Sequence, residues 1–173
     1  IFGRSKNSQY WSKRIKGWDL NRKNTVFGGC ALANAVYMGA NKLETVKVLL
    51  DAGASLDYRT FSGSNVLTNT SDGEDSDPDV LRVVLEKMKS SLSAIEFTSV
   101  VNYRIKASSL KWKTLYFVSK SLKRMGFSKS SLMNIMALWS GTTSLNLAIM
   151  RGDVEIVKIL LENGADPYVE NDL

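Results

Sequence analysis

The stretch from Trp139 to Asp172 constrains the fold most, because its helix boundaries and apolar pattern allow few arrangements. Thr143 can cap a first helix that ends at Gly152, and the second helix can begin at an Asp153 cap and end at Gly164. The second helix has almost no polar face, since it carries Val154, Ile156, Val157, Ile159, Leu160 and Leu161. Such a helix must be covered on two sides, which a single helical hairpin cannot do. The stretch therefore predicts a stacked array of two-helix units.

This stretch resembles one complete ankyrin repeat, a two-helix unit that recurs about every 33 residues. The family pattern reads Gly-x-Thr-Pro-Leu-His-x-Ala, followed by a Gly turn, an apolar helix and Gly-Ala-Asp. The residues in register with it are Gly141, Thr143, Leu145, Ala148, Gly152, Glu155, Val157, Leu160, Leu161, Gly164, Ala165 and Asp166. An ordinary buried helical hairpin is the alternative interpretation, and the number of agreeing positions favours the repeat.

A second stretch, from Gly28 to Asp57, resembles the same repeat. It has two extra residues between its helices, and Cys30 and Ala31 stand where the family has Thr and Pro. The residues that carry the resemblance are Leu32, Ala35, Gly39, Glu44, Val46, Lys47, Leu49, Leu50, Gly53, Ala54 and Asp57. The Gly-Ala pairs of the two stretches are far enough apart to leave room for two further units on this period.

We therefore predict an all-α fold, an ankyrin-type solenoid of three to four repeats, two of them well preserved. A divergent basic helix pair, which begins with an amphipathic helix over 110–125, is expected to replace one unit ahead of the last repeat. The predicted segments are 1–24, a basic segment and possible remnant of a repeat; 25–58, a repeat; 59–102, a degenerate repeat with an acidic loop; 103–138, the helix pair; and 139–173, a repeat.

The acidic loop of the degenerate repeat has two other interpretations. Asp75, Asp77, Asp79 and Glu86 have the spacing of carboxylates in a calcium loop. Val80 stands where that loop requires Gly, and the run that follows favours a helix capped by Asp77 with Pro78 at its first position. We therefore expect a solvated loop without a metal. Ser71 and Ser76, each followed by acids, are candidate phosphorylation sites.

Several classes of activity are excluded by residue types that the chain lacks. It has no His, which removes the commonest general base and metal ligand near neutral pH. Its one cysteine, Cys30, is expected to be a buried structural thiol. We therefore predict no enzyme activity, no metal and no cofactor.

The location of the chain is predicted from what its sequence lacks. A single cysteine allows no internal disulfide and suits a reducing intracellular compartment. No apolar run reaches the length of a membrane helix, and the start of the chain has no signal-peptide core. Since the chain begins with Ile, we expect it to be a piece of a longer protein.

Charge alternates along the chain in four blocks. Residues 1–24 and 97–152 are basic, whereas residues 25–96 and 153–173 are acidic. The third block contains nine Lys or Arg and no acid. Its basic residues, interleaved with aromatic ones, form a candidate site for nucleic acid, anionic lipid or an acidic protein. This basic patch consists of Arg104, Lys106, Lys111, Lys113, Lys120, Lys123, Arg124 and Lys129.

The resemblance to ankyrin repeats implies a protein-binding surface made of the loop tips and the exposed faces of the first helices. The candidate partner-binding residues are Phe27, Asn34, Tyr37, Met38, Ser140, Thr142, Asn146, Met150 and Arg151. Asn146 stands at the position of the family's His. Tyr, Met and Arg are common at interface hot spots, although Tyr37 and Met38 could instead pack on neighbouring units. The main functional prediction is a non-enzymatic scaffold or adaptor within a larger assembly.

Overall fold

A computed structural model describes residues 19–38, 41–72, 76–127 and 130–173, and these residues form α-helices and loops without strands. The helices are α1 (Ala31–Met38), α2 (Lys42–Asp51), α3 (Val66–Asp72), α4 (Pro78–Ser91), α5 (Ala94–Val101), α6 (Leu110–Arg124), α7 (Ser131–Trp139), α8 (Ser144–Arg151) and α9 (Val154–Glu162). The all-α prediction is confirmed. Residues 1–18 of the basic segment predicted over 1–24, and Ser128 and Lys129, lie outside the described residues.

Three helix pairs stack on one another in two layers. In the first layer α1 packs on α3 and α3 packs on α8, and in the second layer α2 packs on α4 and α4 packs on α9. Leu32, Leu67 and Leu145, one from each helix of the first layer, are almost fully buried in a shared core. The last pair therefore packs directly on the second, and the basic helix pair does not stand between them as the repeat spacing predicted.

The last pair has the local structure that its sequence predicts. The Thr143 hydroxyl accepts a hydrogen bond from the Asn146 amide at 3.2 Å, and the Asp153 carboxylate accepts one from the Ile156 amide at 3.1 Å. Each side chain satisfies an amide that the first turn of its helix leaves unpaired. Helix α9 is covered by α8 and α4, while Val154 and Leu161 remain exposed at its other side.

The acidic loop ends in a helix cap, and Asp75, the first carboxylate of the calcium-loop spacing, lies outside the described residues. The Asp77 carboxylate accepts hydrogen bonds from the amides of Asp79 and Val80, at 2.9 and 3.4 Å, and α4 begins at the next residue. Within the described ranges, no group of three or more metal-ligating side chains lies together. Ser71 is fully buried, and its hydroxyl donates to the Leu67 carbonyl, so the prediction that Ser71 is a phosphorylation site is wrong. The Ser76 hydroxyl donates to the carboxylate of Asp153.

The basic helices α6 and α7 pack against each other and form a second, smaller core. This core joins Tyr116 of α6 to Leu147 of α8, with Ile105 and Ala107 from the preceding segment, and Trp112 and Trp139 pack at its edge. Helix α6 ends one residue before the predicted boundary. In the part of the chain that is described, no helix has the length and apolar character needed to cross a bilayer.

Candidate partner-binding surface

The loop tips that precede the first helices form one continuous edge of the molecule. The Phe61 amide donates to the Phe27 carbonyl at 2.8 Å, which joins the first tip to the second. The Ser108 amide donates to the Phe61 carbonyl at 3.1 Å, and Ile105 exchanges two backbone hydrogen bonds of 2.9 Å with Gly141 and Thr142. Residues 103–109, here called the bridging segment, therefore lie between the tips of the second and last pairs.

Two tyrosines fasten the bridging segment and α6 to the second tip. The Tyr103 hydroxyl donates to the Gly63 carbonyl at 3.0 Å, and the Tyr116 hydroxyl donates to the Ser62 carbonyl at 3.1 Å. Burial raises the pKa of Tyr116 well above its usual range, so this hydroxyl remains a donor. The guanidinium of Arg59 lies 4.4 Å from the centre of the Tyr103 ring. The helix pair is thus held at the tip side of the stack.

Five of the candidate partner-binding residues lie on the surface. Phe27 is 61% exposed at the first tip, and Tyr37 and Met38 are exposed at the end of α1. Met150 and Arg151 are exposed at the end of α8. Tyr37 and Met150 occupy equivalent positions, because Tyr37 lies five residues after Leu32 and Met150 lies five residues after Leu145. The described structure therefore presents large side chains at matching places in the first and last pairs.

Two candidate partner-binding residues are corrected by their burial. Thr142 is fully buried, and its carbonyl accepts the amide of Ile105 from the bridging segment. Ser140 is also buried, and its hydroxyl donates to the Asp172 carboxylate at 2.7 Å. Since the bridging segment and the end of the chain cover this tip, neither residue can contact a partner. The sequence could not show this, because the covering residues come from elsewhere in the chain.

The two asparagines among the candidates are half-buried and have contacts within the fold. The side-chain amide of Asn146 donates to the Val169 carbonyl at 3.0 Å. Asn34 lies beside Gly29 in the first pair. Asn146 thus ties α8 to the loop that follows its own pair.

Charged residues join the second and last pairs across more than 70 positions of sequence. The Arg82 guanidinium of α4 contacts Asp79 on its own helix and Glu155 on α9. Arg151 of α8 lies 3.9 Å from the Asp72 carboxylate of α3. Burial raises the pKa of Asp72 to about 6, and Arg151 opposes that rise. The pairs Arg82–Glu155 and Arg151–Asp72 could not be assigned from sequence, since nothing in the spacing links the partners.

The basic patch converges on an acid that the sequence did not identify as part of a site. Arg104 contacts the Asp172 carboxylate at 2.6 Å, and the Lys120 ammonium lies 3.7 Å from it. The Arg124 guanidinium donates to the main-chain carbonyl of Asp172 at 3.1 Å. Lys106 and Lys113 line a cavity that Arg104, Lys120 and Asp172 also line. Lys111 and Lys123 do not line it, and Lys129 lies outside the described residues.

Comparison with known proteins assigns the last of the three stacked pairs to a family. The model of the ankyrin repeat family matches residues 140–172, which include α8 and α9 and the tip before them. No curated protein matches the chain. Ankyrin repeats are in general protein–protein interaction modules and are typically not enzymes. Residues 140–172 of this chain are therefore an ankyrin repeat.

Proposed function

We propose that the chain is a non-enzymatic scaffold or adaptor that binds a protein partner within a larger assembly. The stacked pairs supply three repeat units, and α6 with α7 forms a helix pair inserted at their tip side. The partner would contact the tip at Phe27 and the ends of the first helices at Tyr37, Met38, Met150 and Arg151. The observation that carries this proposal is the exposure of Tyr37 and Met150 at equivalent positions of two units.

The residue types on this surface support a protein interface. Phe27, Met38 and Met150 are each about half or more exposed, although burial of large apolar side chains is favourable. Aromatic residues, Met and Arg are enriched in the buried centres of protein interfaces. The last unit matches a family whose general role is binding other proteins. A partner that covers these side chains would gain the free energy of their burial.

Site-specific photo-crosslinking in the native assembly tests this proposal. A photoreactive amino acid at position 27, 37 or 150 should capture the same partner, because the three positions belong to one surface. The matched control is position 158, where Lys158 is exposed on the second-layer helix α9. Equal capture at position 158, or no capture at positions 27, 37 and 150, would overturn the proposal. Turnover of a substrate by the purified chain would overturn its non-enzymatic part.

A second candidate function is binding of nucleic acid or another anionic surface by the basic patch. Lys106, Lys111 and Lys113 are exposed in a block without acids, which favours contact with phosphates. Changing Lys113, Lys120, Lys123 and Arg124 together to Glu should abolish binding of an oligonucleotide. Retention of the oligonucleotide by this variant would refute the second candidate.

A further inference from the structure

A cavity of about 500 Å³ lies between the bridging segment, α6 and the end of the chain. Its charged lining consists of Arg104, Lys106, Lys113, Lys120 and a single acid, Asp172. Four cations against one carboxylate give this cavity an excess of positive charge. Like charges held together repel one another, so the cavity should attract further negative charge.

The contacts of Asp172 show which kind of group this cavity holds. Its carboxylate is bound by the Arg104 guanidinium at 2.6 Å and by the Ser140 hydroxyl at 2.7 Å. Its main-chain amide donates to the Ser140 carbonyl at 3.1 Å, and its main-chain carbonyl accepts from Arg124 at 3.1 Å. Side chain, amide and carbonyl of one aspartyl residue are therefore all bound. The cavity therefore has the groups needed to bind an acidic residue of a peptide chain.

Two cations of the cavity have no acid beside them. Lys106 and Lys113 are both exposed, and within the described residues neither ammonium lies within ion-pair distance of a carboxylate. Lys106 belongs to the bridging segment and Lys113 to α6, so the pair comes from both walls of the cavity. The cavity thus has room and charge for acidic residues beside Asp172.

The surroundings of these cations favour a peptide over nucleic acid. The Ser140 carbonyl accepts the Asp172 amide, a main-chain donor that a peptide has and a nucleic-acid phosphate lacks. Phe117 also lines the cavity and is 69% exposed, so it offers an apolar contact for a neighbouring side chain. A chain that alternates acids with apolar residues can use both features.

We propose that Lys106 and Lys113, together with Arg104 and Lys120, bind an acidic segment of a partner protein that lies alongside Asp172. This inference rests on the proposed function, because it takes the ligand to be protein. It adds the chemistry of the bound segment, which carries two or more Asp or Glu residues. It also places the contact on the inserted helix pair, outside the surface formed by Phe27, Tyr37 and Met150.

A labelled synthetic peptide of alternating Asp and Leu, titrated against the full chain, tests the proposal. The peptide should bind, and its affinity should fall as salt rises. Changing Lys106 and Lys113 together to Glu should weaken binding by about tenfold or more, since each lost attraction becomes a repulsion. The matched control changes Lys111 and Lys158 to Glu, which alters net charge equally away from the cavity and should weaken binding less than about twofold.

Other results would overturn the proposal. Failure of the peptide to bind the folded wild-type chain is one. An equal loss in the Lys111 and Lys158 variant is another, since it would make binding a matter of net charge alone. Tighter binding of a single-stranded oligonucleotide or of anionic lipid vesicles, lost in the Lys106 and Lys113 variant, would assign the cavity to those ligands.

Crosslinking separates this inference from the proposed function on which it rests. If a partner is captured at position 27 or 150 while the acidic peptide does not bind, the inference fails and the interaction module stands. If neither experiment gives binding, both fail.

Discussion

Asn102 clamps the loop of the last repeat, because its side-chain oxygen accepts the amide of Asp166 at 2.7 Å. Its side-chain nitrogen donates to the Gly164 carbonyl at 3.0 Å, so one amide group closes both ends of a short turn. Asn21 makes the matching contact with the first pair, where its side-chain oxygen accepts the Ser55 amide at 2.8 Å. Asn21 and Asn102 therefore bind the loops that follow the second helices of the first and last pairs in the same way.

Replacement of Asn102 by Ala should loosen the last repeat from the second pair. Three side-chain hydrogen bonds are lost at a partly exposed position, two to this loop and one to the Thr98 carbonyl, so we expect the free energy of unfolding to fall by about 1 to 2 kcal/mol. Urea denaturation followed by circular dichroism measures the change. Asn171→Ala is the control, since Asn171 contacts only the amide of Leu173 and should change stability little. Equal effects of the two substitutions would show that the clamp does not stabilise the stack.

Replacement of Leu160 by Asp should unfold the last repeat. Leu160 is fully buried in α9, and an unpaired carboxylate there would cost about 4 kcal/mol or more. Leu161→Asp is the matched control, because the next residue of the same helix is 45% exposed and should tolerate the charge within about 1 kcal/mol. Thermal melts of both variants measure the two losses of stability. An unchanged melt for Leu160→Asp would mean that α9 is not packed against α4.

The local structure of the last repeat could be predicted because its signals lie within a few residues of one another. Thr143 and Asp153 cap the helices that begin after them, and Gly152 ends the first one. The amphipathic pattern of α6 likewise gave its start correctly and its end within one residue. Capping and periodicity depend on neighbours along the chain, so they can be read without a structure.

The stacking order could not be predicted, because it depends on contacts between distant segments. The repeat period counts residues, and it cannot show that α6 and α7 leave the stack while α8 packs on α3. The burial of Thr142 and the contacts of Asp172 follow from the bridging segment, whose position the period does not fix. The prediction of partner-binding residues is therefore weakest at the tip that the bridging segment covers.

Replacement of Gly63 by Ala should displace the bridging segment. Gly63 has a φ of +97°, and a Cβ there would collide with the backbone of Lys106. We expect a loss of about 3 kcal/mol or more, from left-handed strain and the collision together. Gly53→Ala is the control, since Gly53 has a φ of +88° with open space around it and should cost only about 1 to 2 kcal/mol. Equal losses in urea denaturation would mean that the close approach contributes nothing.

The stability of the chain should depend on pH through Asp72, the last residue of α3. Burial raises the pKa of this carboxyl to about 6, above its ordinary value in the unfolded chain. The folded chain therefore holds a proton that the unfolded chain has released between about pH 4 and pH 6. Asp72 contributes stability below that window, and this contribution is lost as the pH rises through about 6.

Replacement of Asp72 by Asn should remove the loss of stability that occurs as the pH rises. We expect the variant to be more stable than the wild type by about 1 to 2 kcal/mol near neutral pH, and the difference to vanish near about pH 4. The ion pair with Arg151 spans 3.9 Å and is partly solvated, so its removal costs little. Asp51→Asn is the matched control, because Asp51 is the exposed last residue of α2. Urea denaturation at several pH values measures the change, and a difference between Asp72→Asn and wild type that does not vary with pH would show that Asp72 stays ionised in the fold.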